Sequence, residues 1–312
     1  MPLTHQNAEK NAVNSNEYYG EYHGHRVEHI KTVVSALRGN SGSRPIVWLC
    51  GDSTLDNKYW LPAFKTHLAL NHYEKVLRPP RMQPDVTYWI NAGLLDHSID
   101  ASAVNCAVEE STLGCRASGL LAQDQMILDS IEPNDALVVS VGGNDIALRP
   151  TAITIASMVG LLASPRWLIE RGWAPGLSHL QHLFRDETQR LVDRLTARKR
   201  PSCVIICMLY FLDQSPESPS WAGRILTLLG YNRDPTKLQL LIRTCFELAT
   251  CEITVPGTIV CPLPLYSVLD GTNPADYVQR VEPSSQGGQK MAGAILDALG
   301  RMGKTGLITP AD

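Results

Sequence analysis

Ser53 ends the segment Gly51-Asp52-Ser53, which follows the apolar run Ile46-Val47-Trp48-Leu49-Cys50. A serine is a weak nucleophile until one group takes its proton and others stabilise the oxyanion formed on attack. A buried strand that stops at a glycine provides a place for this. A tight turn there lifts the hydroxyl to the sheet edge, with the next helix N-terminus behind it. Gly-Asp-Ser alone also fits a plain surface turn, so the later segments decide. In Ser140-Val141-Gly142-Gly143-Asn144-Asp145 two glycines permit close backbone approach, and the Asn144 carboxamide is a donor suited to a developing negative charge. Losing one such donor typically costs about 3 kcal/mol of transition-state stabilisation. Between the two lies Asn105-Cys106-Ala107-Val108-Glu109-Glu110-Ser111-Thr112, where the Ala107 N–H offers a second donor.

Elements that could position these groups are visible on either side. Apolar runs recur at Ala103 to Val108, Ala136 to Val141, Cys203 to Leu209 and Thr258 to Cys261. Helical periodicity marks Arg26 to Leu37, with a stop at Arg38-Gly39-Asn40, and then Ala152 to Ala163, Leu177 to Ala197, Thr236 to Ala249 and Gly288 to Arg301. Near-continuous apolar strands alternating with helices predict a parallel, doubly wound α/β sheet. Two stretches fit this plan badly and are expected to be insertions, near 61–94 and 211–235. In open α/β sheets the ligand crevice lies beyond the C-terminal strand ends, so both could roof a pocket.

With 312 residues, 44% of them hydrophobic, the chain can close a substantial core, which excludes general disorder. Lys and Arg number 28 against 31 for Asp and Glu, and a net charge of −3 gives no whole-chain reason to expect a polyanion. No apolar run reaches the ~20 residues of a membrane span, and Met1 to Asn16 is polar, so no membrane partner and a cytoplasmic location are expected. Of the eight cysteines, Cys50, Cys106, Cys203, Cys207 and Cys261 sit in or beside apolar runs, as reduced thiols packed in a core would. The Cys203 and Cys207 spacing within a β-branched run is a poor zinc clip, and neither metal nor cofactor is expected.

Taken together, Gly51-Asp52-Ser53-Thr54-Leu55-Asp56-Asn57, the Asn105-x-Ala107 segment, Gly142-Gly143-Asn144-Asp145 and Pro283-Ser284-Ser285-Gln286-Gly287-Gly288 resemble the ordered blocks of the SGNH (GDSL-type) hydrolase superfamily. They span roughly residues 50 to 290. The resemblance implies a three-layer α/β/α flavodoxin-like fold with about five parallel strands. It implies this domain over 41–305, with a polar leader and helix over 1–40 and a tail over 306–312. It further implies esterase, lipase, thioesterase, deacetylase or acyltransferase chemistry on a small-molecule acyl ester or activated acyl donor. Carried over by position, Ser53 is the nucleophile, and its N–H, the Ala107 N–H and the Asn144 side chain form the oxyanion hole. Asp52, Asp56, Asn57, Gly143, Asp145, Glu109 and Glu110 fall around the same rim and are expected to bind substrate.

One departure matters. Superfamily members usually carry Asp-x-x-His before the Pro-Ser of the last block, whereas Glu282 occupies the histidine slot here and Gln279 the aspartate slot. The last histidine of the chain is His182. A branch of the superfamily with an Asp-Asn opening and a Glu-Pro-Ser ending looks similar. A carboxylate with an ordinary pKa near ~4.3 accepts a serine proton poorly, but burial raises it. Glu282 as base predicts a lower pH optimum than a histidine would give. Alternatively Glu282 binds a cationic or hydroxyl-bearing group, and the enzyme passes an acyl or aminoacyl group to an amine with little hydrolysis. A third reading is a catalytically silent fold that binds a ligand. His23, His25 and His29 could fold over the site to replace the missing imidazole. The basic run Arg194 to Arg200 suits a helix C-terminus, or a phosphate-rich donor such as a tRNA.

Overall fold

A computed structural model describes residues 12–39, 42–63 and 65–302. The start of the expected leader, Asn40 and the 306–312 tail therefore lie outside the described residues. Five strands, β1 (Ile46–Gly51), β2 (Ser102–Asn105), β3 (Ala136–Ser140), β4 (Cys203–Met208) and β5 (Ile259–Pro264), form one parallel sheet in the order β2-β1-β3-β4-β5. That is the flavodoxin-like order, and it reverses direction between β1 and β3, where open α/β sheets bind ligands. Strand residues alternate between two apolar layers. Val47, Leu49, Val138 and Ile205 face one side, and Trp48, Cys50, Val139 and Ile206 face the other.

The helices used below are α1 (Val27–Arg38), α2 (Val86–Asp96), α3 (Ala122–Ser130), α4 (Gly143–Ala147), α5 (Ala152–Ala163), α6 (Leu177–Gln181), α7 (Thr188–Leu195), α8 (Gly223–Leu228), α9 (Pro235–Leu248) and α10 (Ser285–Met302). Helices α2 and α10 pack together over one face of the sheet, and the others with long apolar stripes cover the opposite face. The result is the expected three-layer α/β/α fold.

Two expectations change in detail. The 61–94 stretch divides: its second half is the crossover helix α2, capped by Asp85, whose Oδ1 accepts from Tyr88 N at 2.7 Å. Its periodicity is masked because Asn91 is buried to serve the edge strand. The Asn91 amide accepts from Ala103 N at 2.9 Å and donates to Ala103 O at 3.0 Å, closing backbone groups that an edge strand leaves open. The helix expected over Leu177 to Ala197 is interrupted by a π-helical stretch, His182–Glu187, between α6 and α7. Such bulges occur often at functional sites, and Phe184 within this one faces the cavity described next.

Candidate functional site

The turn after β1 must be glycine at its first position. A Cβ on Gly51 would stand 2.1 Å from Ser140 O, because the ends of β1 and β3 run that close. Asp52 N–H then donates to Ser140 O (3.3 Å), Thr54 N–H to Asp52 Oδ1 (3.0 Å), and the N–H groups of Leu55 and Asp56 to Asp52 O. Among the described residues the Ser53 N–H meets no acceptor. The carbonyl of Gly51 is held by the Ser111 hydroxyl (3.0 Å) and by Arg116 Nη2 (3.1 Å), and Arg116 is itself fixed by buried Asp124 through Nε (2.9 Å). The sequence reading missed Arg116. Nothing in a lone arginine between loops signals that it braces a turn more than sixty residues away.

After β3, Gly142 adopts φ +101°, a conformation that favours glycine, and starts α4. Asn144 Nδ2 spends one hydrogen on Ser111 O at 3.0 Å, which fixes the carboxamide and leaves its second hydrogen available. Ser53 and Asn144 line one cavity together with Asp52, Gly143 and Glu282.

Several residues expected at this rim are placed elsewhere. The Ala107 N–H, expected as an oxyanion donor, already donates to Asn105 Oδ1 at 2.8 Å in a local side-chain turn, and Ala107 does not line the cavity. Asp56 is fully buried and accepts from Lys58 Nζ (2.6 Å), Asn105 Nδ2 (3.0 Å) and the N–H groups of Gly24 and Glu109 (3.1 Å each). Asn57 clamps two chain segments, donating to Pro283 O and accepting from Val86 N. Asp145 accepts from Leu113 N and Gly114 N. These three hold the loops that carry the site and do not line the cavity. Glu109 and Glu110 do not line the cavity either, and Glu110 accepts from Tyr22 and pairs with Arg149. The histidines do not replace an imidazole. His25 is buried against Tyr18, His23 approaches Glu109 O at the surface, His29 pairs with Glu17, and no histidine among the described residues lines the cavity.

Glu282 arrives on a small hairpin in which Val278 pairs with Glu282 and Tyr277 with Pro283. The reversal uses Gln279 (φ 53°) and Arg280 (φ 65°), both left-handed without being glycine, at a cost of order 1 kcal/mol or more each. Side-chain contacts hold them there. Arg280 is buried and donates to Asp213 O and Asn232 Oδ1, and Gln279 Oε1 accepts from Trp221 N. The strained turn delivers Glu282 to the cavity, where Oε1 accepts from Trp221 Nε1 at 3.3 Å and Oε2 is buried without a partner.

Burial raises the Glu282 pKa from the ordinary carboxylate value toward neutrality. The Asp52 charge adds to the rise, and the facing Ser53 hydroxyl and the Trp221 indole oppose it. Glu109 is raised too, by burial first and then by repulsion from Glu282 and Asp56. It likewise gives one oxygen to an indole, Trp60 Nε1 at 3.4 Å, and keeps Oε2 unpartnered. Asp52 rises to about 6 through burial. Desolvation thus moves the Glu282 carboxyl out of the acid range on which the expectation of a low pH optimum rested. Trp221, in the 211–235 stretch, is the second residue of the site to which the sequence alone assigned no role.

The cavity extends from Ser53 between the sheet and α5, α6, α8 and α9, with a volume of about 110 Å³. Trp221 and Ile225 from the 211–235 stretch form part of its wall, whereas 61–94 contributes none of its lining. The basic residues at the end of α7 are engaged within the chain: Arg194 with Arg116 O, Arg198 with Asp129, Lys199 with Glu132 and Arg200 with Pro256 O. No helix among the described residues is long and apolar enough to cross a membrane.

No family model matches the chain, and no curated protein matches it in sequence. Solved structures do match in shape. A protein described as a GDSL-like lipase from Parabacteroides merdae is 13% identical with a TM-score of 0.48, over 82% of this chain and 96% of that one. An extracellular lipase from Streptomyces rimosus is 10% identical with a TM-score of 0.42, over 81% and 99%. A carbohydrate acetylesterase from Sinorhizobium meliloti is 12% identical with a TM-score of 0.44, over 83% and 100%. From its own strand order and layers, the chain is a three-layer α/β/α protein of flavodoxin-like topology with a serine and a carboxamide at the switch point.

Proposed function

We propose that the chain is a serine-dependent acyl-ester enzyme of the SGNH type that acts through an acyl-Ser53 intermediate. Ser53 Oγ attacks the ester carbonyl while its proton passes to the Glu282 carboxylate. The oxyanion is held by the Ser53 N–H and the free hydrogen of Asn144 Nδ2. Collapse breaks the bond to the alcohol, which leaves with the proton from Glu282. Water or another acceptor then attacks the acyl group, giving its proton to Glu282, and Ser53 Oγ recovers that proton as it departs. The single observation behind this reading is the Glu282 carboxyl, buried with one oxygen unpartnered, in the same cavity as Ser53 and Asn144.

The test is hydrolysis of p-nitrophenyl esters together with fluorophosphonate labelling, in wild type and Ser53→Ala. Turnover and labelling that both vanish in Ser53→Ala support the proposal. A wild type with neither overturns it in favour of a silent ligand-binding fold.

A second reading, transfer to an amine acceptor, is favoured by Glu109, whose Oε2 is also buried without a partner and whose charge is close enough to repel that of Glu282. A pair of neighbouring carboxyls suits a cationic acceptor, and an amine brings its own proton to lose. Slow hydrolysis that added amines accelerate, with formation of the amide, would select this reading over the first.

A further inference from the structure

The polar groups of the cavity, Asp52, Ser53, Thr54, Asn144 and Glu282, are gathered past the C-terminal ends of the neighbouring strands β1 and β3. Beyond them the wall is made by side chains such as Met158, Phe184, Met208, Leu226, Leu241 and Cys245, contributed by α5, the π-helical stretch, β4, α8 and α9. Cys245 is buried and its thiol is pushed well above the ordinary range by desolvation, as in a dry surround. A sugar ring placed there would leave its hydroxyls without partners, at a cost of kilocalories for each group. An acetyl group would leave most of the apolar wall without contacts. An apolar cavity of about 110 Å³ is comparable to engineered apolar cavities, of roughly 150 Å³, that stay dry and admit hydrocarbon.

We infer that this cavity is the acyl subsite and that it takes an unbranched aliphatic chain of medium length, with α8 and α9 as the walls that set how long a chain is accepted. The inference rests on the acyl-enzyme reading for its catalytic meaning, but chain binding can be measured without catalysis. Each buried methylene is worth about a fourfold gain in binding. Ile225, half-buried on α8, is the wall residue at which added bulk shortens the accepted chain with least disturbance of the core.

The direct experiment titrates Ser53→Ala with methyl esters of acetate, butanoate and octanoate, read by calorimetry and Trp221 fluorescence. Neutral esters are used because Asp52 and Glu282 repel a free fatty acid. The expected result is binding of methyl octanoate at least about 50-fold tighter than methyl butanoate, following the methylene increment. In the wild type the same preference appears in kcat/KM for p-nitrophenyl octanoate over acetate, and Ile225→Trp lowers the octanoate-to-acetate ratio at least about tenfold. Equal binding of the three methyl esters overturns the inference, even if Ser53 is labelled and turns over acetate. Octanoate binding without any Ser53-dependent turnover supports the chain-binding cavity and overturns the acyl-enzyme reading instead. If Ile225→Trp fails to fold, the titration of Ser53→Ala still decides.

Discussion

The same strands present two faces that are packed differently. On one, Val47, Leu49, Val138 and Ile205 meet α2 and α10, with Ile90, Leu94, Ile295 and Leu299 filling the space between sheet and helices. On the other, Val139, Ile206 and Met208 look toward α5, α6 and α9, where the packing opens around a cavity that ends at Ser53. Close packing is the ordinary state of a protein interior, so an apolar opening against the sheet forgoes stability that the first face keeps. The difference separates a closely packed face from one that keeps a cavity, and if the cavity serves the proposed function, substitutions on the two should fail in different ways.

The largest effect belongs to the open face. Ser53→Ala should lower ester kcat by about 10³-fold or more with the melting temperature little changed, measured by p-nitrophenyl ester turnover beside thermal unfolding. A core truncation on the closed face should do the reverse. Ile295→Ala, under α10, is expected to cost about 2–5 kcal/mol of unfolding free energy in denaturant titration, while kcat/KM per folded molecule is retained. If it changed acyl preference as strongly as Ile225→Trp, the division between the faces would not hold. Asn144→Ala comes next, with a loss of about 3 kcal/mol, or about 10²-fold in kcat, and a smaller change in KM.

The pH dependence of stability sharpens the comparison, because each face carries a raised carboxyl. Burial lifts Asp52 at the cavity from 3.8 to about 6, and Asp85 at the start of α2 from 3.8 to about 7. A carboxyl whose folded pKa lies above its unfolded value binds its proton more tightly when folded. Its stabilising contribution is therefore complete below about pH 4 and is lost as pH rises through the folded pKa. The melting temperature should fall between pH 4 and 7. Asp85→Asn, which keeps a good N-cap, should flatten the upper part of that fall without moving the pH profile of activity. The smallest effect is expected from Trp221→Phe. It removes a hydrogen bond that favours the Glu282 carboxylate, so the acid limb of activity shifts to higher pH by a fraction of a unit, read from kcat/KM profiles.

What the sequence disclosed follows the same division. The positions of Ser53 and Asn144 were legible because each follows an all-buried strand within a few residues, beside glycines that a close approach explains, and parallel topology places two such strand ends together. Glu282 was legible from its slot before Pro283, although its raised pKa depends on burial by Trp221 and the 211–235 insertion, which no local pattern encodes. The partner of the Ala107 N–H was not legible, because Asn105, two residues earlier, takes it through a side-chain turn. Helix α2 was hidden because Thr87 and Asn91 are polar yet buried, and polarity in a sequence window reads as exposure. Lys58 is a further case: fully buried, it pairs with Asp56 at 2.6 Å, a partner that composition cannot assign.

The central claim is that Glu282 takes the proton of Ser53. The measurement closest to it is the rate of Ser53 acylation as a function of pH, followed by the burst of p-nitrophenol in wild type and Glu282→Gln. Wild-type rates should climb as pH passes the raised Glu282 pKa and level above it, while the variant is slower by about 10²-fold or more and loses that limb. Acylation in Glu282→Gln at the wild-type rate, with an unaltered pH profile, would contradict the account.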